Sequence, residues 1–277
     1  MTYAEQVKRD NDRAERKRKQ EEIEASLTVA LMRKRGYGLV RGNFAPTASF
    51  EKALERELKF INERIKEIIN SKNIENRLEL EQLIYKLHKY HTKLKEWDSN
   101  QIDNMLIKLN QINKSQWIDH LKDYDKKDKD IVLSIPILML LLRLKDSTKK
   151  YLTKLPFDAM NKIKQYNEKG ILEGLTFSEI VEKVKKIPEM NYRRLKLIAR
   201  TQAAFTMSML TEKRARALGC EYFIWQTMED ERVRPSHAAM QGQICSFDNP
   251  PIVDGFPLLP GRTYNCRCWI VPIVRKS

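Results

Sequence analysis

Apolar residues recur every three or four positions through much of the first 170 residues. Leu54, Leu58, Ile61, Ile65 and Ile68 step by four, three, four and three, with lysine and glutamate opposite, and predict an amphipathic helix from Glu51. The segment 73–95 repeats the pattern with Ile74, Leu78, Leu83, Leu87 and Leu94, and Ile102, Met105, Leu106, Leu109 and Ile112 mark a third helix. The charged stretch 123–130 predicts a loop. The apolar run 131–142, interrupted by Ser134 and Pro136, predicts a core helix or a contact with an apolar partner surface. It is too short for a membrane span, which needs about 20 apolar residues. Thr176-Phe-Ser-Glu179 fits a capping box for a helix ending at Pro188. Another helix is expected over 192–218, with Leu195, Ile198, Ala199, Phe205, Met209 and Leu210 at helical spacing and Gly219 ending it.

The period then shortens. Residues 221–227 are aromatic or β-branched in most positions and predict a strand, 243–247 a shorter one, and 266–274 a closing strand that pairs with one of them. The proline- and glycine-rich stretch 249–261 reads as an extended surface loop. Residues 1–25 alternate charges and read as a solvated helix or an arm that orders on a partner, and 36–46 as a linker. The fold class is mainly α with a small α+β C-terminal domain: an extended helical body and a mixed α/β tip with short antiparallel strands. Three parts are expected, a basic N-terminal arm and linker (1–50), a helical domain (51–170) and the tip (171–277).

Polar side chains crowd two places in that tip. Thr227 leads into a loop carrying Asp230, Arg232, Arg234, Ser236, His237 and Gly242, and Asn265-Cys266-Arg267-Cys268 opens the last apolar segment. With Ala199-Arg200-Thr201-Gln202 on the preceding helix, Gly219, Trp225-Gln226-Thr227 and Pro272, this order resembles the Mu F-like domain of tailed-phage minor head (head morphogenesis) proteins. The resemblance covers roughly residues 190–277. It implies a low-copy virion component that joins portal and capsid during head assembly near the portal, assembled in the host cytoplasm, with no enzyme activity. The portal protein is the implied partner, with the major capsid or a scaffolding protein as a further contact. Many relatives carry a loop cysteine pair where this chain has Pro235, Ser236 and His237.

Asp230, Arg232, Arg234 and His237 are residue types suited to phosphodiester chemistry. They suit equally an arginine–carboxylate network that pins a long loop, to which Arg200, Asn265 and Arg267 would contribute. No acid/base pair, phosphate loop or activated nucleophile accompanies them, so no catalytic residue is assigned. An enzyme centred on His237, such as a nuclease, stays open as an alternative. Cys220, Cys245, Cys266 and Cys268 lie within fifty residues. Zinc on His237, Cys245, Cys266 and Cys268 is set aside because no C-x₂₋₄-C knuckle is present. No metal or other cofactor is expected, and the charged N-terminus, lacking a secretory pattern, predicts a reducing compartment with free thiols.

Charge adds one further expectation. The chain carries a formal +15, and residues 162–218 hold 13 basic against 6 acidic side chains, whereas 219–277 hold 6 of each. Lys183, Lys185, Lys186, Arg193, Arg194, Lys196, Lys213, Arg214 and Arg216 are therefore expected to face double-stranded DNA, through its backbone and without sequence preference. A structural adaptor without DNA contact is the competing assignment. The mean hydropathy of −0.58 argues for a soluble protein with much exposed helix, and no membrane partner is expected.

Overall fold

The computed structural model describes residues 37–38, 43–71, 73–96, 100–122 and 124–275. The expected arm over 1–25 lies outside the described residues. The fold is mainly α with a small α+β C-terminal part.

Five helices build most of the body: α1 (Ala48–Asn70), α2 (Arg77–Glu96), α3 (Asn100–His120), α4 (Lys126–Ser134) and α5 (Leu138–Leu172). Their buried stripes, Leu54/Leu58/Ile61/Ile65, Leu80/Leu83/Leu87 and Ile102/Leu106/Leu109, meet in one core. Two positions differ from the sequence pattern: Leu78 is 64% exposed while Leu80 is buried, and Ile69 rather than Ile68 closes the α1 stripe. The charged stretch before 131 is not all loop, since α4 begins at Lys126 and turns Val132 inward. The apolar run 131–142 is not one core helix. Pro136 separates α4 from α5, as expected of a residue that disfavours helical geometry in its predecessor. Ile137 and Leu144 are buried, but Leu138 and Met139 are about two-thirds exposed and Leu142 is nearly half exposed.

The short α6 (Phe177–Lys185) starts on a complete capping box: the Glu179 amide donates to Thr176 Oγ1, and the Thr176 amide donates to Glu179 Oε2. Pro188 does not end that helix. It sits in the first turn of α7 (Ile187–Ala217), where a missing N–H costs nothing. Through its middle α7 is buried on nearly all sides, and only its ends are amphipathic. Leu195, Ala199, Ala203, Met207 and Leu210 join the body core, and Ala215 joins a second core beside the sheet.

That sheet has the order β1 (Tyr37–Gly38), β6 (Trp269–Arg275), β2 (Tyr222–Gln226), β3 (Ile244–Ser246), all antiparallel, with Trp225 opposite Ile270 and Phe223 opposite both Pro272 and Cys245. Tyr37-Gly38, expected as linker, is thus an edge strand. The stretch 249–261 is also less plain than expected, because β4 (Ile252–Val253) and β5 (Phe256–Pro257) form a hairpin within it. The second core mixes Phe44, Trp117, Leu121 and Val132 from the helical side with Phe223, Trp225, Phe247 and Ile270 from the sheet. Trp117 and Trp225 are fully buried. At 150–250 Å² per aromatic side chain and about 25 cal/mol per Å², each contributes about 4–6 kcal/mol.

Candidate functional site

The loop that follows β2 is closed at its base by hydrogen bonds. The Gly242 amide donates to Trp225 O, with Gly242 at a φ of 74°, and the Thr227 amide donates to Gln241 Oε1. At its tip Asp230 receives both ends of the Arg267 guanidinium, Nη1 at 2.7 Å and Nη2 closer still, while Arg232 Nη2 donates at 3.0 Å. The Arg267 contact, then Arg232, holds the Asp230 carboxyl far below the usual carboxylate range. Arg234 Nη2 donates to Tyr264 O at 2.6 Å, tying the same loop to the segment before β6.

That segment is anchored from the other side by α7. The Asn265 amide donates to Thr201 Oγ1 at 2.8 Å, and Arg200 Nη1 donates to Asn265 Oδ1 at 3.2 Å. Asn265 has a φ of 56°, a left-handed conformation that asparagine tolerates better than most residues. The turn it makes keeps Cys266, Arg267 and Cys268 out of the strand, which begins at Trp269. The two thiols, two residues apart, lie on one side of this turn. Both turn toward His237, with Cys268 Sγ 3.4 Å and Cys266 Sγ 3.6 Å from Nδ1, and all three residues are buried.

The opposite ring nitrogen, Nε2, lies 3.0 Å from Asp254 Oδ2, and Ser236 Oγ donates to Asp254 Oδ1 at 2.6 Å. Asp254 is placed by the β4–β5 hairpin, whose two-residue turn Asp254-Gly255 has both φ values positive, as a type I′ turn requires. His237 stands on the one-turn helix α8 (Pro235–Ala238), with its ring edge-on to Trp225. Its pKa is raised above the ordinary histidine value by the Cys266 contact and then by Asp254, while Asp254 is lowered by Ser236 and His237. The two neighbouring thiols are driven apart: Cys266 is pulled down, mainly by the Cys268 hydrogen bond, and Cys268 is pushed up by the same contact. Cys220 and Cys245 lie elsewhere in the core and are simply pushed up to about 12 by burial.

Sequence reasoning missed Asp254, although Asp-Gly between Ile252-Val253 and Phe256 is a strong hairpin signal. It also missed Gln241 and Arg262. Arg262 donates to Ser208 Oγ and to Glu212 of α7, and a lone arginine in a loop gives no sign of such a contact.

The basic residues do not form one surface. Lys183, Lys185, Lys186, Arg194 and Lys196 are exposed near the α6–α7 junction, and Lys213 is exposed near the far end of α7. The 17 residues from Lys196 to Lys213 correspond to about 26 Å of helix. Arg214 contradicts its expected role. It is fully buried and donates to Asn113 Oδ1 at 2.5 Å and Asn110 Oδ1 at 2.6 Å, because the buried face of α7 continues past residue 213. Arg216 is half-exposed but paired with Glu212 and Asp248. The Arg193 side chain lies outside the described residues.

Residues 161–271 match the family described as Phage Mu protein F like protein. This segment, running from within α5 to the third residue of β6, is a Mu F-like phage head morphogenesis domain. An uncharacterized protein of Haemophilus influenzae is 30% identical over 118 residues, 43% of this chain and 26% of that protein. An uncharacterized protein of Methanocaldococcus jannaschii is 36% identical over 105 residues, 38% of this chain and 16% of that protein. An NAD(+)–arginine ADP-ribosyltransferase of Enterococcus faecalis is 28% identical over 116 residues, 38% of this chain and 24% of that protein. The chain thus spans about a quarter or less of the length of these curated relatives. No solved structure matches.

Proposed function

We propose that the chain is a minor head protein that acts in phage head assembly at the portal vertex, where it binds the portal protein and touches the genome backbone during packaging or ejection. The observation that carries this is the match of residues 161–271 to the Mu F-like family, the segment that holds the pinned loop and its anchors on α7. The exposed apolar residues Leu138, Met139 and Leu142 add a surface suited to a protein partner. Described helices contain no segment long and apolar enough to cross a membrane.

A nuclease centred on His237 fits the geometry poorly. Its ring is 2% exposed, with one nitrogen against Asp254 and the other against two sulfurs, so it offers no lone pair to a phosphodiester. The transferase activity in the name of the Enterococcus faecalis relative belongs to a protein of which the shared stretch is 24%, and we assign no such activity here.

The deciding experiment co-expresses this chain with the portal protein of its own phage, purifies on the portal's tag and measures stoichiometry by native mass spectrometry. A defined complex is the expected result, and free chain without portal would overturn the assignment. DNA contact is tested by titrating double-stranded DNA against salt. A pure adaptor would lose all binding near physiological ionic strength.

A further inference from the structure

We propose that His237 Nδ1, Cys266 Sγ and Cys268 Sγ form a zinc site, with a water molecule at the fourth corner, that staples the loop after β2 to the segment before β6. The three ligand atoms lie within 4.8 Å of one another and all three residues are buried. Zinc bonds of about 2.3 Å to sulfur and about 2.0–2.1 Å to nitrogen, at tetrahedral angles, give a nitrogen–sulfur edge of about 3.5 Å. The two edges here are 3.4 and 3.6 Å.

Hydrogen bonding alone accounts for this arrangement poorly. One imidazole nitrogen faces two sulfurs at once, whereas a neutral ring offers one lone pair or one proton on that side. The Asp254 carboxylate against Nε2 favours the tautomer that carries its proton there, which leaves the Nδ1 lone pair aimed between the thiols. A carboxylate that orients a ligating histidine, itself held by a hydroxyl such as Ser236, is the usual outer support of such a centre. Two thiolates would neutralise the dication in a space without room for uncompensated charge.

The placement also gives the ion a structural task. His237 belongs to the loop 227–242 and Cys266 and Cys268 to the segment before β6, so one ion ties two irregular segments together, and Asp254 on the other ring nitrogen adds the β4–β5 hairpin. Among the described residues, which include all four histidines and all four cysteines of the chain, no other such residue joins the group. Cys220 and Cys245 are therefore internal controls.

The test uses the full chain, untagged and purified without chelator in reducing buffer. Elemental analysis is expected to give about one zinc per chain, and added Zn(II) should raise the thermal midpoint. Reconstitution with Co(II) should give thiolate-to-metal charge-transfer absorption that Cys245→Ser retains and Cys266→Ser and Cys268→Ser lose. Because those two variants could fail to fold, Asp254→Asn supplies a milder change, which should weaken zinc affinity about 10–100-fold while far-UV circular dichroism is unchanged. The proposal is overturned by substoichiometric zinc that added Zn(II) does not raise. Binding insensitive to Cys268→Ser and Asp254→Asn, or a Cys266–Cys268 disulfide in the protein as isolated, would overturn it as well. None of these outcomes depends on whether the chain binds a portal.

Discussion

His120 gives a sharp test of how the helical body meets the sheet. It ends α3, is 6% exposed, and lies edge-on to both Phe44 and Trp117 in the core shared with Phe223 and Trp225. Burial lowers its pKa from 6.5 to about 3, so the folded protein keeps the ring neutral at pH values where an unfolded chain protonates it. As pH falls below the unfolded value, the unfolded state binds a proton that the folded state does not, and stability declines until the pH reaches the folded pKa. The slope approaches about 1.4 kcal/mol per pH unit once the pH is below the unfolded value, so acidification from about 6.5 to about 4.5 should cost about 2 kcal/mol from this residue alone. Other groups titrate over the same window, and His120→Leu isolates the contribution because leucine keeps the bulk and removes the proton site. Urea unfolding at a series of pH values is the assay. The wild-type curve should fall more steeply than that of His120→Leu, the two diverging by about 2–3 kcal/mol between pH 7.5 and 4.5. Parallel curves would show that the ring is not held neutral, and the shared core between body and sheet would be refuted with it.

Four further variants test the loop anchors and the basic residues. Asn265→Ala loses both the hydrogen bond from Arg200 and a side chain that tolerates positive φ, and should cost about 2 kcal/mol in chemical denaturation, against about 1 for Asn265→Gly; equal costs would mean that backbone conformation is irrelevant there. Gly261→Ala would place a Cβ 2.9 Å from Ala204 O and 3.3 Å from Cys268 O at a φ of 82°, and should lower stability by more than about 2 kcal/mol; a neutral effect in thermal unfolding would contradict this close approach to α7. Arg214→Met should destabilise by about 3 kcal/mol without changing the salt dependence of DNA binding. The double variant Lys183→Glu/Lys186→Glu should reverse that pattern, reducing the salt slope by about 2 with stability nearly unchanged; a slope that follows Arg214 instead would refute the burial of its guanidinium.

The helices were legible because burial on one side of a cylinder imposes a period that the sequence must display. Where the pattern misled, a second constraint had intervened. Pro136 cut a continuous apolar run into two helices, and the outer turn of the second left Leu138 and Met139 uncovered. Leu78 satisfied the spacing as well as Leu80, and only packing chose between them. Cys266 and Cys268, two residues apart, share a side of the chain even in a strand, but their meeting with His237 left no periodic signal, because the left-handed turn at Asn265 and a one-turn helix bring the three together. The loop residues themselves were visible as a polar cluster. Their partner Asp254 was not, because it comes from a stretch whose composition announces only turns.

What the hydrophobic pattern could not show is a polar stripe along the face of α7 that meets the segment 247–265. Thr201, Ser208, Glu212 and Arg216 are spaced by seven, four and four residues and so share one face of the helix. Each engages the irregular segment 247–265: Thr201 accepts from the Asn265 amide, Ser208 and Glu212 accept from Arg262, and Arg216 donates to Phe247 O and Asp248. Irregular backbone brings amides and carbonyls that no strand or helix ladder pairs, and burying it demands side-chain partners. A purely apolar helix face would have left those groups unsatisfied, which explains why the helix between body and tip carries threonine, serine and charge where core packing alone would select leucine. The opposite face, through Leu195, Ala199, Met207 and Leu210, is locked into the body core. A force applied to the loop network is therefore carried into the helical body by one helix of about 46 Å, with no flexible linker between. That rigidity suits a protein whose proposed task is to join two large assemblies.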